Sequence, residues 1–278
     1  MSDRIRLDGR VAVVTGAAGV IGTAAMRLLA ERGARIVAVD RKAQELRAAI
    51  RDLPDAAEAL AVLADVTNED EVAKYVRAAI DRFGTIDAFY NNAGIEGDIA
   101  PITKYSLQTF RRVLDVNVVG VFLGLKHVLP VMLKQNRGSI INTASIAGLI
   151  GSPDIAVYSA SKHAVIGLTR SAALECSATA VRVNCVCPGM IDSRMLSAIV
   201  EGRNPGNAPV PARIVERIPA PAGACVGSRF HGGVSCFRRG ELYVGLSLYS
   251  RRRANRWLTI PSPKIASTKP TGLLPSCP

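Results

Sequence analysis

Tyr158 and Lys162 have the residue types and the spacing for proton transfer. Apolar periodicity predicts a helix over residues 156–177, and residues four apart lie on one face of a helix. A phenol with a pKa of about 10 is a poor base at neutral pH, and a neighbouring ammonium group lowers that pKa. The pair therefore indicates acid–base chemistry by Tyr158. The alternative is a structural Tyr–Lys pair on a helix surface.

Ser145 follows a β-branched run, Ser139–Thr143, that predicts a strand. Active sites of α/β proteins collect at the carboxyl ends of their strands. The hydroxyl of Ser145 could therefore hold a substrate oxygen. The alternative for Ser145 is a turn residue.

Glycines lie between the first predicted strand and the first predicted helix, at Gly16, Gly19 and Gly22. Glycines there allow a tight turn and let the backbone approach a pyrophosphate at the helix N-terminus. Asp40 ends the second predicted strand, where a carboxylate accepts hydrogen bonds from ribose hydroxyls and repels a 2′-phosphate. The pattern favours NAD over NADP, although Arg41 could soften that preference and Asp40 could instead cap the strand end.

The elements that would position these residues alternate along the chain. Strand–helix–strand order at this spacing predicts right-handed βαβ units and a parallel sheet covered on both faces. We therefore expect an α/β fold, a doubly wound, Rossmann-like sheet in one domain over residues 1–218. The predicted strands are Val11–Thr15, Arg35–Asp40, Ala59–Ala64, Ile86–Tyr90, Ser139–Thr143 and Val181–Val186, and the longer predicted helices are Ile21–Arg32, Asn68–Phe83, Ser106–Gln135 and Ala156–Ser177.

This ordered set of motifs, over residues 8 to 218, resembles the single-domain short-chain dehydrogenase/reductase family. The run Thr15–Gly22 resembles the family's cofactor loop, and Asn117, Ser145, Tyr158 and Lys162 fall at its catalytic tetrad. Further motif residues resemble family positions for the cofactor and the central sheet. These are Asp65 and Val66 at the adenine, Asn91, Asn92, Ala93 and Gly94 at the sheet, and Pro188, Gly189, Ile191 and Ser193 at the nicotinamide carboxamide.

The resemblance implies roles for the tetrad and for the cofactor. Tyr158 would be the general acid/base, Ser145 would orient the substrate oxygen, and Asn117 would hold a relay water. Lys162 would lower the tyrosine pKa and bind the nicotinamide ribose, and Gly16, Gly19, Ile21, Gly22 and Asp40 would bind the rest of NAD. No metal is expected. One departure lies in the loop, where Val20 stands at a position that is usually glycine.

The larger departure is the segment 219–278, which is rich in Pro, Gly and Arg and has no helical periodicity. We predict that it is a disordered tail and that the family's final strand is missing. Read one base later, two stretches of it can encode FLASDEA and TVDGGR, which resemble the family's missing motifs in the expected order. We therefore predict a frameshift near residues 220–224; the alternative is a native, divergent tail.

Composition limits the other function classes. The net charge is +12, but residues 219–278 hold nine Lys or Arg and one acid, so this excess lies mostly in the tail. Without ordered aromatics or an amphipathic helix there, we expect no nucleic-acid or membrane partner. The charged N-terminus predicts a cytoplasmic protein, and Cys185 and Cys187 are expected to be buried small hydrophobes.

We thus expect an NAD(H)-dependent oxidoreductase acting on a secondary alcohol or ketone, and the family suggests a homo-oligomer. The substrate would be set by Met190–Pro211 and by residues around Glu96 and Ile150. The alternatives are a cofactor-binding pseudoenzyme that the aberrant C-terminus inactivates, and a binder acting through the basic tail.

Overall fold

The computed structural model describes residues 6–203 and the backbone of a short strand at 224–226. Its centre is a sheet in which six strands run parallel in the order β3-β2-β1-β4-β5-β6. These strands are β1 (Val11–Thr15), β2 (Arg35–Asp40), β3 (Ala59–Leu63), β4 (Ala88–Asn91), β5 (Gly138–Thr143) and β6 (Val181–Cys187). The predicted doubly wound α/β fold is confirmed, with strand bounds within about two residues of those expected.

Helices cover both faces of this sheet. The first is α1, whose apolar stripe packs with α2 on one face. On the other face α3, α5 and α6 pack against the second and larger core. The helices are α1 (Val20–Glu31), α2 (Ala43–Arg51), α3 (Glu69–Phe83), α4 (Leu107–Leu114), α5 (Gly120–Gln135), α6 (Ala156–Glu175) and α7 (Arg194–Arg203).

The predicted helix over residues 106–135 is not one regular helix. A π-turn, Asp115–Val119, separates α4 from α5, and Asn117 lies within it. Such turns are rare and occur often at functional sites. By length and composition alone, Leu107–Gln135 could cross a membrane, but Val121, Leu125 and Val128 of this run pack in the larger core of the domain.

Cys185 and Cys187 are buried on β6, as expected for small hydrophobes. A seventh strand, β7 (Ala224–Val226), pairs antiparallel with β6 along residues 185–187. This strand was not predicted, and it covers the edge of β6 over those three residues. A further parallel strand is absent from the described residues, and the predicted disorder and frameshift of 219–278 otherwise lie outside them.

Candidate active site

The predicted site residues meet at the carboxyl edge of the sheet, where β1, β2, β4, β5 and β6 end. The loop after β1 supplies the glycines, and the loop after β4 supplies Asn92 to Glu96. The loop after β5 supplies Ser145, and α6 supplies Tyr158 and Lys162. This convergence follows from the parallel order, because strands that run the same way end at one edge.

The glycine loop is shaped by its backbone. Gly16 has φ +63°, a left-handed conformation, and a Cβ there would lie 2.9 Å from the Cα of Ala93. A Cβ on Gly22 would lie 2.2 Å from the carbonyl oxygen of Gly16. Gly19 has φ −78° and precedes α1, and Val20 is the first helical residue. The valine therefore needs no positive φ, and this departure from the family pattern leaves the turn intact.

The N-terminus of α1 carries no capping side chain and no acid in its first turn. The first N–H groups of a helix lack partners within it and favour an anion. Together with the tight turn that Gly16 and Gly22 allow, this end of α1 fits a pyrophosphate.

Asp40 lies beside this loop. Its Oδ2 accepts a hydrogen bond from the amide of Ala18 at 3.0 Å, and its Oδ1 accepts one from the amide of Lys42 at 3.1 Å. The carboxylate thus fixes the glycine loop relative to the end of β2. It also places negative charge beside the loop, where the predicted ribose contact would form.

Thr15, which ends β1, joins this loop to the one after β4. Its buried hydroxyl accepts hydrogen bonds from the amides of Asn92 (2.9 Å) and Ala93 (3.1 Å). The amide group of Asn92 donates back to the Thr15 carbonyl at 3.1 Å. The hydroxyl of Thr143 in turn donates to Oδ1 of Asn92 at 3.1 Å. Thr15 was predicted only as part of the loop motif. Its hydrogen bonds between the loops after β1 and β4 were not predicted.

Asn91 and Asp65 are positioned by contacts within the sheet and its loops. Asn91 is buried and donates to the carbonyl of Val121 (3.0 Å) and to Asn142 (3.2 Å), which ties β4 to β5 and α5. The Oδ1 of Asp65 accepts from both the amide and the hydroxyl of Thr67, at 2.9 and 2.8 Å. These contacts support the predicted sheet role of Asn91.

Tyr158, Ser145 and Lys162 form the chemical centre. Burial raises the pKa of Tyr158, and the Ser145 hydroxyl, hydrogen-bonded to it, works in the lowering direction. The Lys162 ammonium group donates to the carbonyl of Thr143 at 2.7 Å and lies 5.6 Å from the centroid of the Tyr158 ring. Burial lowers the pKa of Lys162 to about 8. The three groups lie together, with the lysine held beside the ring.

Asn117 lies next to this centre, and its side chain is fully engaged with protein. Its Oδ1 accepts from the amide of Ile95 at 2.8 Å, and its Nδ2 donates to the Ile95 carbonyl (2.9 Å) and to Ser161 (3.0 Å). A Cβ on Gly94 would lie 3.2 Å from Asn117 Oδ1 and 3.4 Å from Lys162 Nζ. The Asn117 side chain therefore positions the loop after β4 against α6.

The segment after β6 closes the site. The carbonyl of Pro188 accepts from the amide of Ile146 at 3.0 Å, next to Ser145. The Ser193 hydroxyl donates to the Ile191 carbonyl and accepts from the amide of Leu196, so it caps α7. Gly189 is exposed at this edge of the site.

One contact across the site was not predicted. Arg194, the first residue of α7, forms a two-fold hydrogen-bonded ion pair with Glu96, at 2.6 and 3.0 Å. Burial works to raise the pKa of Glu96, and the Arg194 guanidinium overcomes this and holds it below its ordinary value. The sequence suggested that Glu96 and the segment of Arg194 both face the substrate, but nothing in it paired residues so far apart.

The described residues fit a dinucleotide cofactor. The open end of α1 would hold the pyrophosphate, and Asp40 would hold a ribose. Lys162 and the segment 188–193 would lie at the nicotinamide end. Within residues 6–203 no group of three or more His, Cys, Asp or Glu side chains is arranged to hold a metal ion.

Comparison with known proteins agrees with this geometry. The family model described as short chain dehydrogenase matches residues 10–204. Levodione reductase of Leifsonia aquatica is 39% identical over 209 residues, covering 74% of this chain and 78% of the relative. Cis-4-hydroxycyclohexanecarboxylate dehydrogenase of Sinomonas cyclohexanicum is 43% identical over 192 residues, covering 68% and 76%. The crystal structure of an NAD⁺-bound xylitol dehydrogenase has a TM-score of 0.69 and 40% identity, covering 73% of this chain and 79% of that one.

Proposed function

The chain belongs to the short-chain dehydrogenase family, and we propose that it transfers a hydride between NAD and a secondary alcohol or ketone. The observation that carries this proposal is the grouping of Ser145, Tyr158 and Lys162 at the sheet edge, next to a glycine loop shaped for a pyrophosphate. The family match supports an alcohol dehydrogenase or ketoreductase with a nicotinamide cofactor.

The preference for NAD over NADP rests on Asp40. A carboxylate at the end of β2 is compatible with free ribose hydroxyls and repels a 2′-phosphate. The NAD⁺-bound relative supports the same preference. When bound, the nicotinamide would supply or accept the hydride, and the protein would supply position and electrostatics.

The Tyr158 hydroxyl supplies or accepts the proton of the reaction. In the reducing direction Tyr158 donates its proton to the carbonyl oxygen as that oxygen becomes an alcohol; in the oxidising direction the phenolate removes the alcohol proton. Ser145, whose hydroxyl faces that of Tyr158, would hold the substrate oxygen. Lys162, cationic beside the ring, would stabilise the phenolate. Asn117 supports these groups by holding the Ile95 loop and Ser161 in place.

The substrate class is a ring alcohol or ketone. The names of the two relatives describe a dione reductase and a hydroxycyclohexanecarboxylate dehydrogenase, and the surroundings of Tyr158 are apolar. Ala147 and Ile155 are buried against Tyr158, and Ile99, Met195 and Ile199 pack against this group. Such a lining suits a compact carbocycle. The two names differ in substrate charge, so they leave open whether the substrate is neutral or anionic.

The test is a panel of cyclic alcohols and ketones, followed by NADH absorbance, with NAD and NADP compared. It is run on the recombinant chain and on a frame-corrected version with the FLASDEA and TVDGGR motifs restored. Turnover with NAD by either chain supports the proposal. Activity in the corrected chain alone would show that the segment 219–278 causes the loss of activity. Tight NADH binding by both chains without turnover of any panel member would favour the pseudoenzyme instead.

A further inference from the structure

The apolar lining beside Tyr158 is built from three separate parts of the chain, since Ile155 lies directly before α6. Ile99 lies in the loop after β4, and Met195 and Ile199 lie on α7. Gly202, near the end of α7, packs so closely that a Cβ there would lie 2.5 Å from the Cβ of Ile99. We call Ile99, Ile155, Met195 and Ile199 the substrate-side wall. Its shape depends on how α7 is held against the loop.

Ionic and polar contacts hold both ends of α7. At its start, Arg194 pairs with Glu96, whose side chain is only 9% exposed, whereas that of Arg194 is 72% exposed. At its end, Arg203 donates to the Ser152 hydroxyl (2.8 Å) and to the Pro153 carbonyl (2.6 Å). The Arg194 contact differs from the Arg203 contact because it places a full charge pair beside the wall.

Charge at this position reaches the reacting group. Burial raises the pKa of Tyr158, and the Glu96 carboxylate adds to this because its negative charge disfavours the phenolate. Arg112 acts on Glu96 from a longer distance than Arg194 does. Arg194 therefore makes the direct contact that offsets the Glu96 charge, and two of its five N–H donors are used on that carboxylate.

We propose that the Glu96–Arg194 ion pair determines substrate specificity by cancelling charge beside the substrate-side wall, so that uncharged ring alcohols and ketones are selected over carboxylate-bearing ones. The inference rests on the proposed function and adds the charge class of its substrate. An anionic substrate would have to leave water for an apolar wall, next to a guanidinium that is already paired and a carboxylate that repels it. A neutral ring has no hydrated charge to remove from water and is not repelled by the carboxylate.

The proposal predicts opposite shifts for the two partners. In Glu96→Gln the buried carboxylate is lost, so Arg194 becomes available to an anion. In Arg194→Met the carboxylate loses its partner, so an anion is repelled more strongly. General damage to α7 would move both variants in the same direction, and the pair of substitutions separates charge from damage.

The experiment measures binding of cyclohexanone and of 4-oxocyclohexanecarboxylate by titration calorimetry, at slightly alkaline pH. The full chain is loaded with NAD⁺, which holds no hydride to transfer to a ketone, so the heat reports binding and not turnover. NAD⁺ binding alone is measured first. For the wild type we expect the neutral ketone to bind about tenfold or more tightly than the anion. In Glu96→Gln the ratio of the two dissociation constants, neutral ketone to anion, should shift about tenfold in favour of the anion, as when one charge-assisted hydrogen bond is gained. In Arg194→Met it should shift toward the neutral ketone.

Glu58→Gln serves as the matched control, because Glu58 pairs with Arg35 at the opposite, amino edge of the sheet and both side chains are exposed. Its ratio should equal that of the wild type. Equal affinity of the wild type for both ketones, or parallel shifts in the two variants, overturns the proposal while NAD⁺ binding still supports a cofactor site. Failure of the wild-type chain to bind NAD⁺ overturns the proposed function and the inference with it.

Discussion

Replacement of Asn117 by alanine should destabilise the protein far more than the loss of an exposed asparagine. Asn117 is fully buried, and its side chain makes three hydrogen bonds, two to the backbone of Ile95 and one to Ser161. In Asn117→Ala the N–H and the C=O of Ile95 both lose these partners. Ser161 keeps its own donor bond to the Tyr158 carbonyl at 2.7 Å.

The magnitude follows from those two orphaned backbone groups. A buried group left without a hydrogen-bond partner costs about 1–3 kcal/mol. Because the N–H and C=O of Ile95 are only part-buried, each should cost an amount near the lower end of that range, and the variant should lose about 2–3 kcal/mol of unfolding free energy. Since a domain of this kind is stable by about 5–15 kcal/mol in all, the loss is a large share. The freed loop carries Glu96, so catalytic turnover should also fall even where the variant is folded.

Urea denaturation followed by circular dichroism measures the loss. The matched control is Asn68→Ala, which removes the N-cap of α3 and its two hydrogen bonds to the amides of Asp70 and Glu71 at the surface. Asn68→Ala should lower the free energy of unfolding by about 1 kcal/mol and leave turnover unchanged. If Asn117→Ala costs no more than Asn68→Ala, the claim that Asn117 anchors the site is refuted.

Three further predictions address the cofactor side. Gly22→Ala places a Cβ against the Gly16 carbonyl. It should weaken NADH binding about tenfold and lower the free energy of unfolding by about 1–3 kcal/mol. In the control Gly167→Ala the Cβ would meet nothing within 4 Å, so neither NADH affinity nor stability should fall, and equal NADH affinity in both variants would contradict the loop geometry. Asp40→Ser should lower the ratio of NADP to NAD dissociation constants about tenfold or more, by removing a charge that repels the 2′-phosphate; an unchanged ratio in fluorescence titrations would assign Asp40 to capping alone. For Lys162, burial lowers the pKa to about 8, so between about pH 8 and 10 the unfolded chain binds a proton that the folded chain lacks, and stability should rise with pH. Relative to Lys162→Met, the cofactor-free wild type should gain roughly 2 kcal/mol over that range in urea titrations; parallel curves would show that the lysine titrates as if exposed.

How far the sequence predicts this molecule depends on the range of the interactions involved. The strands were predictable because β1 and β2 are short apolar runs bounded by turns, and burial on both faces requires that composition. In β6 the buried and half-buried residues alternate, which is also a local pattern. The glycine loop and the Tyr158–Lys162 spacing were predictable because their geometry is local. The break at Asp115–Val119 was not, since no proline or glycine within the π-turn marks it. Neither was the Glu96–Arg194 pair, because a contact between distant segments leaves no periodic pattern.

Several expectations from the sequence stay predictions. They include the roles of the site residues, the preference for NAD, the absence of nucleic-acid and membrane partners, the cytoplasmic location, the homo-oligomer that the family suggests, and the frameshift in the segment 219–278. Resequencing of the gene tests the frameshift directly, because an intact frame without the shifted motifs would contradict it.

The central claim is that the Tyr158 hydroxyl moves the proton during hydride transfer. Tyr158→Phe tests it, since the phenylalanine ring keeps the packing against Ala147 and Ile155 and loses only the hydroxyl. The measurement is the turnover number on the best ketone of the panel, together with the NADH dissociation constant. We predict a fall in turnover of at least about a hundredfold, the usual contribution of general acid–base catalysis, with NADH affinity unchanged. Turnover close to that of the wild type, with NADH bound, would contradict the assignment of Tyr158.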